Sequence, residues 1–89
     1  MSVAYRITIK PSAAKAMEKL PKPIRERVVV KIALLAEAPR PSGCAKLAGT
    51  DGFWRVRVAD WRIVYLIDDE AKSLDIRIVA RRSEVYRGI

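Results

Sequence analysis

The stretch Phe53-Trp54-Arg55-Val56-Arg57-Val58-Ala59-Asp60-Trp61-Arg62-Ile63-Val64-Tyr65 decides how this chain is read. Its first six residues alternate, with Trp54, Val56 and Val58 on one side and Arg55 and Arg57 on the other. A second strand-like run, Trp61 to Asp68, follows a tight turn at Ala59-Asp60, so the segment predicts an antiparallel hairpin. Pairing across that hairpin brings Arg62 near Arg57. Guanidiniums then converge on one sheet face, each a planar fork that matches phosphate oxygens and keeps its charge at working pH. Arginines on an outer sheet face also serve as solubilising cover for apolar surface. Alternation alone therefore supports a basic binding patch and no more. Trp54 and Trp61 suit core or interface packing better than base stacking, and Tyr65 is expected in the core.

Towards the N-terminus, Val3 to Lys10 alternates again, with Val3, Tyr5, Ile7 and Ile9 on one side, and predicts a first strand. Pro11 and Ser12 end it. Ser12 is the expected N-cap of a short helix reaching about Leu20, with Ala13, Met17 and Leu20 on one face. Pro21-Lys22-Pro23 breaks the chain, and Pro23 suits the first turn of a second helix. Ile24, Val28, Ile32 and Leu35 follow at helical spacing, supported by Val29 and Leu34, while Arg25, Glu26 and Lys31 supply much of the solvated side. That helix ends near Ala38, before Pro39 and Pro41. Its apolar residues fit either a core or a partner. Pro39 to Gly52 is a long connection anchored by Leu47, of the kind that lines a site or moves.

Towards the C-terminus, Asp68-Asp69-Glu70 and Lys72-Ser73 mark a turn and Leu74 to Ala80 alternates once more. Arg81 to Ile89 is short and polar. The order β-α-α-β-β-β predicts one α+β domain spanning 1–89: an antiparallel three-strand meander joined by the first strand, with the helical hairpin on one face.

Composition narrows the chemistry. Eighteen basic residues against ten acidic ones give a net charge of +8 over 89 residues, a field that attracts polyanions. Nucleic acid leads as partner, ahead of an acidic protein or a membrane surface. Half the chain is apolar (51%), which suits a core rather than disorder. With no histidine and only Cys44, histidine acid–base catalysis and a zinc site are excluded. Cys44 alone forms no intramolecular disulfide and suits a reducing cytosol. Asp68, Asp69, Glu70 and Asp75 offer oxygens for magnesium in principle, but acids in a hairpin turn read first as a solvated turn. No phosphate-cradling glycine motif, signal segment or bilayer-length apolar run occurs. The expectation is a cytoplasmic domain without cofactor, metal or membrane partner.

These residues, in this order, resemble the RelE/ParE toxin superfamily of type II toxin–antitoxin pairs. The likeness covers essentially the whole chain: the opening strand, the helical hairpin, and Lys46-Leu47-Ala48-Gly49, which is similar to the family's K-L-x-G. It continues through the paired-basic strand with Arg55 and Arg57, then Trp61-Arg62-Ile63-Val64-Tyr65. Arg81-Arg82-Ser83-Glu84-Val85-Tyr86 resembles the R-x-x-x-V-Y close of the RelE branch.

The resemblance implies a microbial-ribonuclease-like fold and a metal-independent endoribonuclease, an mRNA interferase that cuts the codon in the ribosomal A site. The ribose 2′-oxygen attacks the adjacent phosphate and leaves a cyclic phosphate and a 5′-hydroxyl. Arg55 and Arg57 fall on the family's paired basic sites, and Arg62 on an arginine that stabilises the charge growing on the phosphate. Tyr86 falls on a tyrosine that stacks on a base or aids proton transfer. Arg81 and Arg82 compete for one further arginine position, Arg82 fitting slightly better. Lys46, Arg81 and Arg87 are expected as RNA contacts. Model members often carry lysines where this chain has Arg55 and Arg57. Arginine is a poor general base, which leaves Tyr86, acidified by neighbouring arginines, as the expected proton acceptor. The resemblance also implies a cognate acidic antitoxin, with ribosome and mRNA as further partners. A ParE-like inhibitor of DNA gyrase, and a non-catalytic homologue that only binds its antitoxin, are the alternatives.

Overall fold

The computed structural model describes residues 4–47, 49 and 52–81. Five strands and two helices follow in the order β1 (Arg6–Ile9), α1 (Pro11–Glu18), α2 (Lys22–Glu37), β2 (Ala45–Lys46), β3 (Phe53–Val58), β4 (Trp61–Asp68) and β5 (Ser73–Arg81). They form one sheet in the order β1-β5-β4-β3-β2. The fold is α+β, with the antiparallel meander β3-β4-β5 at its centre.

Two features of the sheet were not in the sequence pattern. β1 joins β5 in parallel, Ile7 opposite Leu74 and Thr8 opposite Asp75, so the sheet is mixed at that edge. Alternation tells which residues share a face but says nothing of a neighbour's direction. The connection before β3 also contributes a two-residue strand, with Ala45 opposite Arg55 and Lys46 opposite Trp54.

Helix starts are set by proline rather than by a side-chain cap. Pro11 opens α1 and Pro23 sits in the first turn of α2, where a missing N–H costs nothing. Lys10, not Ser12, is the N-cap of α1, and no side chain caps it. Pro11 itself fixes a helical φ, so the helix begins one residue before the expected hydroxyl cap.

The helices bury one stripe each on the same sheet face. Ala13 of α1 and Leu20 just past its end, then Val28, Ile32 and Leu35 of α2, pack with Val56, Val58, Ile63, Tyr65, Leu74, Ile76 and Val79; Met17 and Ile24 line the margin. Val29 and Leu34 were expected to support this stripe. Both stand out in solvent, 51% and 55% exposed, as does Val30 at 59%. A helix 100° per residue apart in its side chains cannot turn Val28 and Val29 to the same layer. The open choice between core and partner thus divides: Val28, Ile32 and Leu35 serve the core, and Val29, Val30 and Leu34 do not.

Tyr65 is fully buried, and its hydroxyl donates to the Pro39 carbonyl at 2.7 Å. Burial pushes its pKa well above the usual phenol range. Its hydroxyl pins the end of α2 and the start of the connection to the middle of the sheet. No helix among the described residues is long and apolar enough to cross a membrane.

Candidate nucleic-acid interface

The hairpin register places Arg57 directly opposite Arg62, Arg55 opposite Val64, and Phe53 opposite Leu66. Cross-strand partners share a sheet face, with Cβ atoms about 4.5–5.5 Å apart. Val56 and Val58 point into the helix-covered core, so Arg55, Arg57 and Arg62 project from the other face. The convergence expected from alternation is present. Ala59 makes it possible by taking a left-handed φ of 53°, which lets Val58 and Trp61 pair across a two-residue turn.

The three arginines differ in setting. Arg57 is exposed, Arg55 is partly exposed, and Arg62 keeps only 5% of its surface. Arg62 is the only charged residue in the buried set among the described residues. No buried side-chain nitrogen or oxygen among them lacks a hydrogen-bond partner. Val64 and Leu47 are also buried, yet lie outside the helix-side core cluster. Leu47 anchors its connection by donating its N–H to the Phe53 carbonyl at 2.8 Å. The arginine face therefore rests on a small apolar floor of its own. Two arginines directly opposite one another repel, and holding one of them buried adds a desolvation cost.

Other expected site residues fall elsewhere. Arg81 is paired with Trp61, and its guanidinium lies 5.5 Å from the centre of the Trp61 ring. Arg62 is paired instead with Ala80, so Arg81 belongs to the opposite face. Lys46, opposite Trp54, likewise alternates away from Arg55. Arg82, Tyr86 and Arg87 lie outside the described residues. Trp54 and Trp61 point to the helix side rather than to the arginine face, as their burial against the core cluster shows.

A second charged cluster, at the other end of the hairpin, was not anticipated. Arg40 makes a bidentate pair with Asp69, Nη1 to Oδ1 at 3.2 Å and Nη2 to Oδ2 at 2.9 Å. The Tyr5 hydroxyl donates to the same Oδ1 at 2.6 Å. Arg40 also covers the Trp54 ring at 5.2 Å, and Lys72 the Tyr5 ring at 5.3 Å. Hydrogen bonds from Arg40 and Tyr5 hold the Asp69 carboxyl down at about 2, and the Asp69 bond raises Arg40 in turn. These partners are 29 and 64 residues apart, so no local signal in the sequence joins them.

The neighbouring acids are engaged as well. Asp68 accepts the Ala71 N–H at 3.0 Å, and Asp75 accepts from Thr8 at 2.7 Å and from Arg77 at 3.1 Å. They act as turn and edge ties. No group of three histidine, cysteine, aspartate or glutamate side chains among the described residues is placed to hold a metal ion.

A helical hairpin on one face of the sheet, with arginines gathered on the other, defines a class of small basic α+β domain. The comparisons give that class its family. The model of the ParE toxin of type II toxin–antitoxin system, parDE, matches residues 7–86. Toxin RelE of Mycobacterium tuberculosis is 32% identical over 84 residues, covering 93% of this chain and 87% of that protein. The RelE–RelB complex of the archaeon Pyrococcus horikoshii OT3 contains a chain that superposes with a TM-score of 0.79 at 29% identity, covering 92% of this chain and 97% of its own. A chain of the RelBE2 toxin–antitoxin complex of Mycobacterium tuberculosis gives 0.79 at 28% identity, covering 90% and 100%. This chain belongs to the RelE/ParE superfamily of type II toxin–antitoxin toxins.

Proposed function

We propose that the protein is a RelE-like toxin that cuts mRNA in the ribosomal A site, without a metal, through its arginine face. The observation that carries this reading is the direct opposition of Arg57 and Arg62, with Arg62 buried and Arg55 beside them. Like charges directly opposite one another in a sheet repel. A phosphate bound over it would relieve the repulsion, and most of all a phosphorane, which carries more negative charge than the ground state.

In the proposed reaction the 2′-oxygen forms a bond to phosphorus and the bond to the 5′-oxygen breaks, giving a 2′,3′-cyclic phosphate and a 5′-hydroxyl. Arg55 and Arg57 hold the phosphate. Arg62, fixed by burial, meets the charge on the non-bridging oxygens. Tyr86 takes the 2′-hydroxyl proton and Arg82 assists the charge, both assigned from the family resemblance, and solvent supplies the proton to the leaving 5′-oxygen. Lys46, Arg81 and Arg87 are left for RNA outside the cut dinucleotide.

Partner and regulation follow from the same surfaces. The solved relatives from Pyrococcus horikoshii and Mycobacterium tuberculosis are complexes with RelB-type antitoxins. An acidic antitoxin is proposed to cover the arginine face or displace the segment around Tyr86. The exposed Val30 and Leu34, with Arg27, Lys31 and Arg57 around them, would seat an amphipathic acidic segment of the same partner.

The deciding experiment adds protein to ribosomes stalled on a defined message and maps cuts by primer extension. Expected are cuts in the A-site codon, weak cutting of free mRNA, and loss with Arg62→Ala or Arg62→Gln in protein that still melts cooperatively. The matching family model is named for ParE, so gyrase supercoiling is assayed alongside. Gyrase inhibition with an uncut message would replace this reading with the ParE one.

A further inference from the structure

The arginine face does not stop at the edge of the sheet. β2 pairs with β3 only at Trp54 and Arg55, so among the described residues no strand pairs with the outer edge of the last half of β3. Beside that edge lies a concavity of about 350 Å³ lined by Lys31, Ser42, Gly43, Arg55, Val56 and Arg57. Three cations thus surround one hollow, two from the sheet and one from the helix layer. None of Lys31, Arg55 and Arg57 takes part in the ion pairs found among the described residues, which are Arg40–Asp69 and Arg77–Asp75.

The wall between them suits a close approach. Gly43 holds a φ of 91°, and a Cβ there would meet nothing within 4 Å, so bare backbone and open space face the hollow. Ser42 adds a hydroxyl. Lys31 is partly buried on α2, between the core residues Val28 and Ile32 on one side and the exposed Leu34 on the other. A surface lysine needed only for solubility has no reason to lie in the same hollow as two arginines that make no ion pair among the described residues, where like charges raise one another's cost.

We propose that Lys31, across the hollow from Arg55 and Arg57, forms a phosphodiester subsite that carries the RNA backbone from the arginine face around the β3 edge onto α2. The ligand is an RNA phosphate flanking the one that is cut, and the proposal rests on the reading that the arginine face meets RNA. Lys31 binds as a point charge and adds no base selectivity. Its contact releases one counterion, so it makes binding more salt-dependent without changing which sequence is preferred.

The test measures binding of the full-length protein to a labelled single-stranded RNA oligonucleotide, and separately to ribosomes without message, across a salt series. Variants are Lys31→Ala, Lys31→Gln, Lys31→Arg and Arg55→Ala. Lys15→Ala on the exposed side of α1 removes the same net charge elsewhere. Expected for Lys31→Ala and Lys31→Gln is a salt slope shallower by roughly 0.7 and binding about fivefold weaker near 0.1 M salt, the size of one single-strand phosphate contact. Lys31→Arg should restore both, and Lys15→Ala should change neither. An effect on the oligonucleotide identifies the message as the source of the phosphate; an effect confined to vacant ribosomes identifies ribosomal RNA. Wild-type binding by both neutral Lys31 variants, with Arg55→Ala weakened, would overturn the subsite and leave the RNA reading standing. Wild-type binding by Arg55→Ala as well would overturn both.

Discussion

At one end of the β3–β4–β5 meander, Arg40, Asp69, Tyr5 and Lys72 satisfy one another: a carboxylate takes two guanidinium bonds and a phenol, and each ring lies under a cation. At the other end Arg57 faces Arg62 across the strands, with Arg55 alongside. The first cluster is complete within the chain. In the second, like charges stand directly opposite one another, an arrangement often met at functional sites. The two ends are thus told apart by which charges stand opposite one another, not by residue type or exposure.

The contrast is broken most severely at Arg62. Replacing it with glutamine keeps a polar side chain but removes the fixed positive charge, and cleavage of ribosome-bound mRNA should fall by roughly 10²–10³-fold, the usual effect of losing one preorganised stabiliser. Single-turnover cleavage on stalled ribosomes gives the number. A loss below about threefold in folded protein would remove Arg62 from the reaction.

A sharper form of the comparison turns one end into a copy of the other. Arg57→Glu would set a carboxylate opposite Arg62 and turn a like-charged cross-strand pair into an oppositely charged one. Opposite charges in cross-strand register contribute roughly 0.2–1 kcal/mol, so the variant should unfold at a slightly higher temperature while losing RNA binding. Lower stability together with lost binding would mean that the arginine pair is not a strained feature held for a partner.

Much of this was legible in residues 53–65, because alternation fixes faces and a short turn fixes register. Alternation alone puts Arg55, Arg57 and Arg62 on one face and Tyr65 on the other, as the register and the burial of Tyr65 show. What was not legible came from contacts distant in the chain. Asp69 reads as one more acid in a turn until Arg40 and Tyr5 arrive from two other elements. Lys31 reads as solvated helix surface until the β3 edge is seen beside it. Lys46 and Arg81 look continuous with the basic face in sequence, yet each is one residue out of phase with it. Period two makes that single step a change of face.

The turn that creates the register offers a milder test. Ala59 takes a left-handed φ of 53°, which costs a residue with a Cβ about 1–2 kcal/mol. Glycine removes that cost but has more backbone freedom to lose, about 0.5–1 kcal/mol. Ala59→Gly should therefore raise stability by about 0.5–1 kcal/mol, measured by urea unfolding, with cleavage retained because the register of Arg57 and Arg62 is unchanged. A loss of stability would show that the turn is not where this hairpin is strained.

The smallest effect lies at the satisfied end and depends on pH. Asp69 is held at about 2 by its bonds to Arg40 and Tyr5, below the roughly 3.9 of an aspartate in an unfolded chain. Its charged form is therefore favoured by folding. The resulting stabilisation is complete above about pH 4 and is lost as pH falls towards 2. Because the pair is solvent-exposed, the contribution is modest and weakens with salt. Asp69→Asn should flatten the acid limb of the stability curve between pH 4 and 2 and bring Arg40 off its partner, while leaving RNA binding at neutral pH unaltered. Thermal melts of the two proteins over that window, at low and high salt, measure this. An unchanged acid limb would mean the cluster contributes geometry alone. A fall in RNA binding would mean that the two ends of the meander are coupled through the strands, and that the division between structural and functional charge is not as clean as their partners make it.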